Sequence, residues 1–434
     1  MNKCMFNLDM CVPQLELPRV IIVGGGFAGI PLAKALKNKP VQLILLDKNN
    51  FHQFLPLLYQ VATSGLEPDS IAFPLRKQFH DYENFIFRMA EIIRIIPEEN
   101  KLETSIGAIA YDYLVLGTGS NTNFFGLKDV SLHANGMKTI QEALDLRSLI
   151  LQNFEQAVST CDLSERDALT NFMIVGGGPA GVETAGALAE FKKYILPKDY
   201  PELDPGLTKL YLLEAGKRLL SSMSEKASFN AYNELKRMGV QVRLQTGLQS
   251  YDGLQATTNT GESFNVRTLI WTAGVKGAVP KGIKESALAR GNRILVDEYN
   301  RVKGYENIFA IGDVAAMISD KYPGGHPMVA QAAIQQGKQL GKNIMNLILK
   351  RKPLPFIYKD KGSLATIGKK RAVADLNKIK LSGFFAWLIW SLVHLITISG
   401  FRNKVMVTLD WTWSYLTYEK GNRLIIRKYN KKEK

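Results

Sequence analysis

The sequence predicts an α/β protein with two Rossmann-like units of parallel strands and helices, followed by a C-terminal amphipathic segment. Three observations support this prediction. A β-branched run breaks into a glycine turn and a helical pattern twice, at Arg19–Lys37 and again at Asn171–Tyr194, as strand–turn–helix units do. The segment 350–434 holds 19 of the 55 lysines and arginines but only 5 of the 40 acidic residues. The same segment contains the uncharged run Leu381–Phe401.

Composition restricts the class of protein. With 434 residues, 46% of them hydrophobic and 22% charged, the chain has the composition of a globular protein of two or three domains. The net charge of +15 lies almost wholly in the C-terminal segment, which carries +14. A nucleic-acid-binding protein would place its basic residues on the recognition domain, so nucleic acid is not an expected partner.

Cysteines and histidines indicate neither disulfides nor a metal. Cys4, Cys11 and Cys161 lack CxxC or zinc-ligand spacing, and the five histidines are scattered. No metal site is expected. The N-terminus lacks the sustained apolar core of a signal peptide, so the bulk of the protein is expected to stay in the cytoplasm.

The first unit begins with the predicted strand Arg19–Val23, which leads into Gly24-Gly25-Gly26-Phe27-Ala28-Gly29. A helix (Pro31–Lys37) and a strand (Val41–Leu46) follow, ending at Asp47. In such turns the first glycine permits the sharp bend, the second lets the backbone approach a pyrophosphate, and the third allows close helix packing. Asp47 lies 23 residues after Gly24, a spacing typical of the acid that binds a ribose.

The second unit repeats this plan. The predicted strand Asn171–Val175 leads into Gly176–Gly181 and the helix Val182–Tyr194. A Pro-rich stretch, Leu196–Gly206, is expected to be irregular and delays the strand that ends at Glu214. Glu214 would bond the adenosine ribose and repel a 2′-phosphate, which favours NADH over NADPH. Lys217 and Arg218 lie close behind and would soften that preference.

Further elements complete the expected architecture. Helical periodicity covers Thr139–Thr160, and a strand at Thr268–Thr272 closes near Gly274. The strand Asn307–Ile311 ends at Gly312-Asp313, and a later helix contains Ala330–Gly337. Two complete glycine fingerprints imply two dinucleotides, a held flavin and a visiting nicotinamide.

From about Pro18 to the C-terminus the sequence resembles the type II (alternative, non-proton-pumping) NADH:quinone oxidoreductases. The motifs that carry the resemblance are IIVGGGFAG, FLPLLYQVATSGLEPDSIA (Phe54–Ala72), IVGGGPAGVETAGALAE, IFAIGDVA, AQAAIQQG and TLDWTWSYLTYEKGNRLII. The resemblance implies the FAD/NAD-linked reductase fold, with an NADH domain inserted into an FAD domain. The expected boundaries are 18–130 and 295–350 for the FAD domain, 131–294 for the NADH domain, and 351–434 for a membrane-anchoring module.

The resemblance also implies the site residues. FAD would contact Gly24, Gly26, Gly29, Asp47, Thr118, Gly119, Asp313 and Ala330, and NADH would contact Gly176, Gly178, Gly181, Glu183, Glu214 and Gly274. Asp313 has a simpler alternative as a helix N-cap. Glu183 is either an acid stabilised by the helix dipole or a catalytic residue near the nicotinamide–flavin junction that binds cofactor or relays protons.

The helix start at Ala330 is similar to the family's AQxAxQ quinone motif. Gln331 and Gln335 lie one helical turn apart and share a face. Their amide hydrogens can donate to a quinone carbonyl, so both are candidate catalytic residues. The alternative is an ordinary Ala-rich helix with exposed glutamines.

The run Leu381–Phe401 is long enough to span a bilayer, but three features favour an in-plane anchor. Ser391, His394 and Thr397 form a polar stripe. Basic residues flank both ends (Lys378, Lys380, Arg402 and Lys404), and Trp387 and Trp390 suit an interface. A soluble core helix is the third option. His394 is expected to be structural or to line a quinone channel, and the simplest reading of Lys361, Lys369, Lys370 and Arg371 is headgroup contact.

The expected protein is therefore a flavoenzyme on the cytoplasmic face of the cell membrane, oxidising NADH through FAD and reducing a quinone. Its expected partners are quinone and anionic lipid, and the oligomeric state is open, with a homodimer as one option. A soluble ferredoxin-reductase-type enzyme is the alternative. Disulfide and sulfide:quinone reductases need cysteine pairs that this sequence lacks, and an NADH/NAD⁺ sensor would not need a quinone motif.

Overall fold

The computed structural model describes residues 9–376, 379–419 and 421–429, and these form two compact units. The first unit takes the described residues of 1–52, 73–121 and 275–360, and the second takes those of 53–72, 122–274 and 361–434. The first fingerprint therefore lies in the first unit. The second fingerprint and the C-terminal segment share the second unit.

The secondary structure follows the chain in this order. The strands are β1 (Arg19–Val23), β2 (Gln42–Asp47), β3 (Phe51–Gln53), β4 (Ala72–Pro74), β5 (Phe85–Met89), β6 (Ile92–Ile96), β7 (Lys101–Thr104), β8 (Gly107–Ala110), β9 (Tyr113–Leu116), β10 (Ser120–Thr122), β11 (Phe172–Val175), β12 (Leu210–Glu214), β13 (Val240–Leu244), β14 (Leu248–Tyr251), β15 (Gln255–Thr258), β16 (Ser263–Asn265), β17 (Thr268–Trp271), β18 (Val275–Gly277), β19 (Leu288–Ala289), β20 (Arg293–Val296), β21 (Ile308–Ala310), β22 (Ala315–Met317), β23 (Ser363–Gly368), β24 (Arg371–Leu376) and β25 (Ile379–Gly383). The helices are α1 (Gly29–Ala35), α2 (Leu58–Ala62), α3 (Leu75–Gln78), α4 (Lys128–His133), α5 (Ile140–Ser159), α6 (Leu163–Thr170), α7 (Pro179–Tyr194), α8 (Leu196–Asp199), α9 (Glu225–Arg237), α10 (Ala330–Ile348), α11 (Phe384–Thr397) and α12 (Phe401–Thr417).

The first unit is built on a parallel five-stranded sheet in the order β21-β9-β1-β2-β5. Alternate residues of β1 enter different cores. Ile21 and Val23 join one cluster, and Val20 and Ile22 join the other. Both faces of this sheet are therefore buried, as expected for parallel sheets covered on each side.

Helix α10 packs on α1 within the first unit at unusually short range. A Cβ at Gly337 would collide with the carbonyl of Ala28, and one at Gly341 would lie 2.5 Å from the Ala35 side chain. Glycine at these two positions lets the helix backbones approach closely.

The second unit repeats the parallel plan with the order β13-β12-β11-β17. Two antiparallel three-stranded sheets accompany it, β14-β15-β16 and β23-β24-β25. A Cβ at Gly186 on α7 would collide with the carbonyl of Ile367. The C-terminal sheet thus packs against the helix of the second fingerprint, backbone against backbone.

The structure confirms the predicted alternation of strands and helices and corrects some boundaries. Helix α5 matches the predicted Thr139–Thr160 closely, because Thr139 caps its start in a capping box with Glu142. Helix α7 begins at Pro179 rather than Val182, since proline suits the first helical turn. The stretch predicted to be irregular contains the short helix α8, so that prediction was wrong in part.

The uncharged run Leu381–Phe401 does not form one continuous helix. Its first residues belong to β25, its centre forms α11, and the chain turns at Gly400 (φ +86°) before α12 starts. Among the helices described, none combines the length and apolar character that a bilayer crossing requires. Lys378, predicted as one of the flanking basic residues, lies outside the described residues.

Candidate functional site

The first fingerprint forms a turn that only glycine can build. Gly24 has φ +105°, and a Cβ there would collide with the carbonyl of Gly117. A Cβ on Gly29 would strike the carbonyl of Gly24. Gly26 differs, because a Cβ there would meet nothing within 4 Å. The turn is therefore closed behind Gly24 and open at Gly26, where a ligand's phosphates could approach.

Asp47 holds this turn from the end of β2. One carboxylate oxygen accepts the Gly25 N–H at 2.7 Å, and the other accepts the Asn49 N–H at 2.7 Å. Burial raises the pKa of Asp47, an effect that these two N–H groups oppose. Each carboxylate oxygen has a second lone pair, so Asp47 can still accept a ribose hydroxyl.

The other residues predicted to contact FAD also lie in the first unit. The Thr118 hydroxyl donates to the Ala278 carbonyl at 2.7 Å, next to Gly119 with φ +72°. Asp313 accepts the Ser120 hydroxyl at 2.7 Å and lies within a short 3₁₀ turn whose N-cap is Ile311. The simple N-cap alternative for Asp313 is therefore wrong.

Helix α10 carries the two predicted quinone-binding glutamines. The Gln331 amide donates to Asp360 at 3.3 Å. Gln335 pairs with the backbone of Lys359 in both directions, donating at 2.9 Å and accepting at 3.0 Å. An amide nitrogen carries two hydrogens, so Gln335 keeps one further donor for a ligand.

The second fingerprint has the same backbone plan in the second unit. Gly176 has φ +110° and lies against the backbone of Ala273, while a Cβ on Gly181 would strike the Gly176 carbonyl. A Cβ on Gly178 would meet no atom within 4 Å, as on Gly26. The two turns are thus equivalent, position by position.

Glu214 holds the second turn as Asp47 holds the first. Its carboxylate accepts the Gly177 N–H at 2.7 Å and the Gly216 N–H at 2.6 Å. The nearby Arg218 guanidinium donates to the carbonyls of Ser221 and Met223 and to the Ser228 hydroxyl. These contacts hold the Arg218 guanidinium in place, and its effect on the choice between NADH and NADPH stays a prediction. Lys217 is exposed.

An aromatic ring covers the last predicted NADH contact. A Cβ on Gly274 would lie 2.6 Å from the ring of Phe125. Phe125 itself has φ +51° and leaves 62% of its surface exposed. A positive φ in a bulky residue marks local strain, and no sequence pattern predicted this strain.

Glu183 lies in the second turn of α7, beyond the first turn in which the dipole acts most strongly. It is 8% exposed, and burial raises its pKa to about 8. The backbone N–H of Thr366, at 3.3 Å, and the indole N–H of Trp390 partly oppose that rise. Glu183 therefore holds a proton at neutral pH, which is the behaviour of a proton donor rather than of a surface acid.

Several residues around Glu183 were not predicted from the sequence to lie there. Trp390, predicted to suit a membrane interface, is 2% exposed and stacks on His394 with ring centroids 4.1 Å apart. Burial raises the pKa of the Tyr59 hydroxyl well above its usual value, and the Glu183 carboxylate raises it further. The Gln60 amide donates to the Tyr59 hydroxyl and accepts the Trp411 N–H, both at 2.8 Å. The family-specific PLLYQVAT motif was the one available signal.

Three basic residues of the C-terminal segment make contacts inside the second unit. Lys369 lies 3.3 Å from the Tyr418 ring centroid, Lys370 lies 4.4 Å from that of Tyr415, and Arg371 pairs with Glu234 at 3.2 Å. These contacts give the residues a role in packing, beside the headgroup contact predicted from sequence. Of the cysteines, Cys11 and Cys161 are exposed free thiols, and Cys4 lies outside the described residues.

Comparison with known proteins connects this geometry to a family. Residues 18–337 match the pyridine nucleotide-disulphide oxidoreductase family, and residues 361–418 match the NDH2 C-terminal domain. The type II NADH:quinone oxidoreductase NdhA of Mycobacterium tuberculosis is 33% identical over 94% of this chain and 89% of that protein. The type II NADH:quinone oxidoreductase of Haemophilus influenzae is 31% identical over 85% of this chain and 91% of that protein.

Solved structures share the fold. The structure of NDH2 from Plasmodium falciparum in complex with NADH has a TM-score of 0.86 at 20% identity, covering 94% of this chain and 100% of that one. The sulfide:quinone oxidoreductase of Aquifex aeolicus gives a TM-score of 0.70 at 17% identity, covering 89% and 92%. With two glycine turns each held by an acid, a C-terminal NDH2 domain and these relatives, the chain belongs to the type II NADH:quinone oxidoreductase family.

Proposed function

We propose that this enzyme oxidises NADH through a resident FAD and reduces a membrane quinone by two electrons, without pumping protons. The observation that carries the proposal is the duplicated turn, in which Gly26 and Gly178 each leave open space beside an acid-held glycine. One turn fits each dinucleotide, and the family supplies the order of electron transfer.

The residues present fit an FAD in the first unit. The pyrophosphate would lie at the open side of Gly26, and Asp47 would accept the adenosine ribose hydroxyls. Asp313, already bonded to Ser120 at 2.7 Å, would accept hydroxyls of the ribityl chain. Bound FAD supplies the capacity to take a hydride from NADH and to pass the electrons on to a quinone.

The second unit fits NADH in the corresponding way. Gly176, Gly178 and Gly181 would cradle its pyrophosphate, and Glu214 would bind its adenosine ribose. The Phe125 ring over Gly274 would have to swing aside, and its large exposed surface leaves it room to do so. A movable ring suits a nucleotide that must enter and leave at each turnover.

Quinone reduction consumes two protons as well as two electrons. Glu183 is protonated at neutral pH because burial raises its pKa to about 8, so we assign it to proton transfer. Gln331 and Gln335 would donate amide hydrogens to a quinone carbonyl. These hydrogen bonds strengthen as negative charge grows on the oxygen, which favours its reduction.

The exposed faces of α11 and α12 support attachment to one membrane leaflet. Eleven large apolar side chains along these two helices face solvent, while Ala386, Trp390 and Val407 face inward: Phe384, Phe385, Leu388, Leu392, Val393, Ile396, Phe401, Val405, Leu409, Trp413 and Leu416. Soluble proteins rarely expose so many large apolar side chains on two consecutive helices. Together with the segment's net charge of +14, this exposure favours an anionic lipid surface.

The central experiment is anaerobic. The purified chain should contain FAD, NADH should bleach the flavin absorbance, and a short-chain quinone should restore it. If the chain is purified under conditions that retain bound flavin and still contains no FAD, the proposal is contradicted. For the membrane, vesicles with anionic lipid should bind the chain, and replacing Leu409, Trp413 and Leu416 by serine should weaken that binding. Serine at the exposed Thr408 and Thr412 is the matched control.

A further inference from the structure

The His52 side chain contacts Gly25, the middle glycine of the first turn. Its Nδ1 lies 3.0 Å from the Gly25 carbonyl oxygen, and the ring is 5% exposed. The ring of Phe27, within the same turn, meets it edge-on with centroids 5.2 Å apart and planes at 90°. Gly25 therefore has its N–H held by Asp47 at 2.7 Å and its C=O held by His52.

The chemistry of this contact fixes which atom donates. Burial and, to a smaller extent, the nearby charge of Lys34 lower the pKa of His52 to about 4, although the hydrogen bond to Gly25 opposes this shift. The ring is therefore neutral in the physiological range. A neutral imidazole has one N–H, and a carbonyl can only accept. The hydrogen consequently resides on Nδ1.

Peptide planarity carries the effect to the next residue. The Gly25 carbonyl and the Gly26 N–H belong to one trans peptide unit, so they point in opposite directions. A donor that fixes the carbonyl also fixes the direction of the Gly26 N–H. Gly26 is the residue whose Cα borders open space, and glycine would otherwise rotate freely.

In the second turn a backbone N–H, and not a side chain, holds the corresponding glycine carbonyl. There the Gly177 carbonyl accepts the backbone N–H of Leu220 at 2.8 Å, while Glu214 takes the Gly177 N–H at 2.7 Å. A backbone donor and a histidine side chain thus perform the same task in the two turns. This agreement between unrelated donors argues that fixing this peptide has a purpose in both.

We propose that His52 is a positioning residue for FAD, whose Nδ1–H orients the Gly25–Gly26 peptide so that the Gly26 N–H faces the pyrophosphate. The inference rests on the proposed function, because it requires FAD in the first unit. His52 does not react. It holds the peptide in the orientation that the phosphate needs.

The test compares FAD dissociation constants of full-length variants, measured by flavin fluorescence on reconstitution. His52→Phe keeps a ring but has no donor, so FAD should bind about ten- to hundredfold more weakly. His52→Asn places an amide N–H near the position of Nδ1 and should restore most of the affinity. NADH affinity, which depends on the Leu220 N–H in the second turn, should stay unchanged in both variants.

Each other outcome counts against the inference or the function separately. Equal FAD affinity of His52→Phe and the wild type overturns the inference, as does an Asn variant no better than Phe. An equal fall in NADH affinity also overturns it, because it indicates general damage. If the Phe variant does not fold, His52→Gln replaces it, since its amide reaches the Nε2 position; equal FAD binding by Asn and Gln then overturns the inference. A wild type without FAD instead removes the proposed function itself.

Discussion

The two glycine turns have the same backbone but different surroundings. In the first turn Ala28 is buried and Phe27 is half-buried, and α10 packs against the carbonyl of Ala28. In the second turn the equivalent residues, Pro179 and Ala180, are both exposed. The first turn is thus covered by a neighbouring helix and a histidine, whereas the second is open.

This difference suits the roles that we propose. A turn whose backbone carbonyls are held by neighbouring groups is more rigid, and this suits a resident FAD. An open turn lets a nucleotide enter and leave during each cycle. Helix α7, which follows the second turn, carries Glu183 at the position where α1, which follows the first turn, has Pro31. The helix after the second turn therefore has a buried acid at this position, and the helix after the first turn does not.

The largest effects are expected when a side chain fills the open space at Gly26 or at Gly178. Gly26→Val should weaken FAD binding about hundredfold, because the new methyl groups occupy the phosphate position. Gly178→Val should keep FAD and weaken NADH binding to a similar degree. Flavin absorbance per chain and NADH titration measure the two effects. Since a Cβ at either position meets nothing within 4 Å, the unfolding temperature of the FAD-free chain should hardly change. Reversed losses would mean that the two turns have been assigned the wrong way round.

Glu183 tests the feature that only the second turn has. Because its folded pKa is raised to about 8 from 4.5, the wild type keeps a proton that the unfolded chain releases. Stability should therefore fall as pH rises from about 4.5 to 8, and quinone reduction should slow as pH rises through about 8. Glu183→Gln should lower the maximal rate about ten- to hundredfold and flatten both pH profiles.

Rate measurements and thermal unfolding across pH check this prediction for Glu183. Glu225→Gln, at an exposed position on α9, is the control and should keep the wild-type profiles. An unaltered alkaline limb in Glu183→Gln would show that another group supplies the proton.

Glu214 is expected to set the preference of the second turn for NADH over NADPH. Glu214→Gln removes the negative charge that repels a 2′-phosphate, so kcat/KM for NADPH relative to NADH should rise about tenfold. NADH should remain preferred, because Arg218 is tied to Ser221, Met223 and Ser228. Lys217→Ala should change the ratio little. Equal use of both nucleotides by the wild type would contradict this account of Glu214.

The smallest effects are expected on α10, which covers the first turn. Gln335→Ala should raise the KM for quinone about threefold to tenfold, since it removes one donor and the pairing with Lys359. Gln331→Ala should have a smaller effect, because the bond from Gln331 to Asp360 is longer, at 3.3 Å. Stopped-flow reduction of the flavin by NADH should be unchanged in both variants. A slower reductive step would place these residues in the wrong half of the reaction.

The sequence predicted the parts of the fold that depend on local rules. A glycine turn, a strand before it and an acid after it are constraints on neighbouring residues, so both Asp47 and Glu214 were identified. Contacts between distant segments left no such pattern. Nothing local shows that His52 reaches Gly25, or that Lys359 pairs with Gln335.

The C-terminal segment shows the same limit. Its apolar run was evident, but hydrophobicity alone does not tell which aromatic side chains face inward. Trp390 was therefore assigned to an interface although it packs beside Glu183, and the break at Gly400 was missed. The predicted boundaries of three modules and the individual contacts to FAD, NADH and quinone remain predictions.

The burial of Trp390 beside Glu183 has a practical consequence for handling this enzyme. Cutting the chain near Ile379 to obtain a detergent-free form would remove Trp390 and uncover the acid it shields, so lost activity would say nothing about lipids. A water-soluble form is better made by replacing the exposed apolar side chains of α11 and α12 with polar ones. The buried side chains of both helices then stay unchanged.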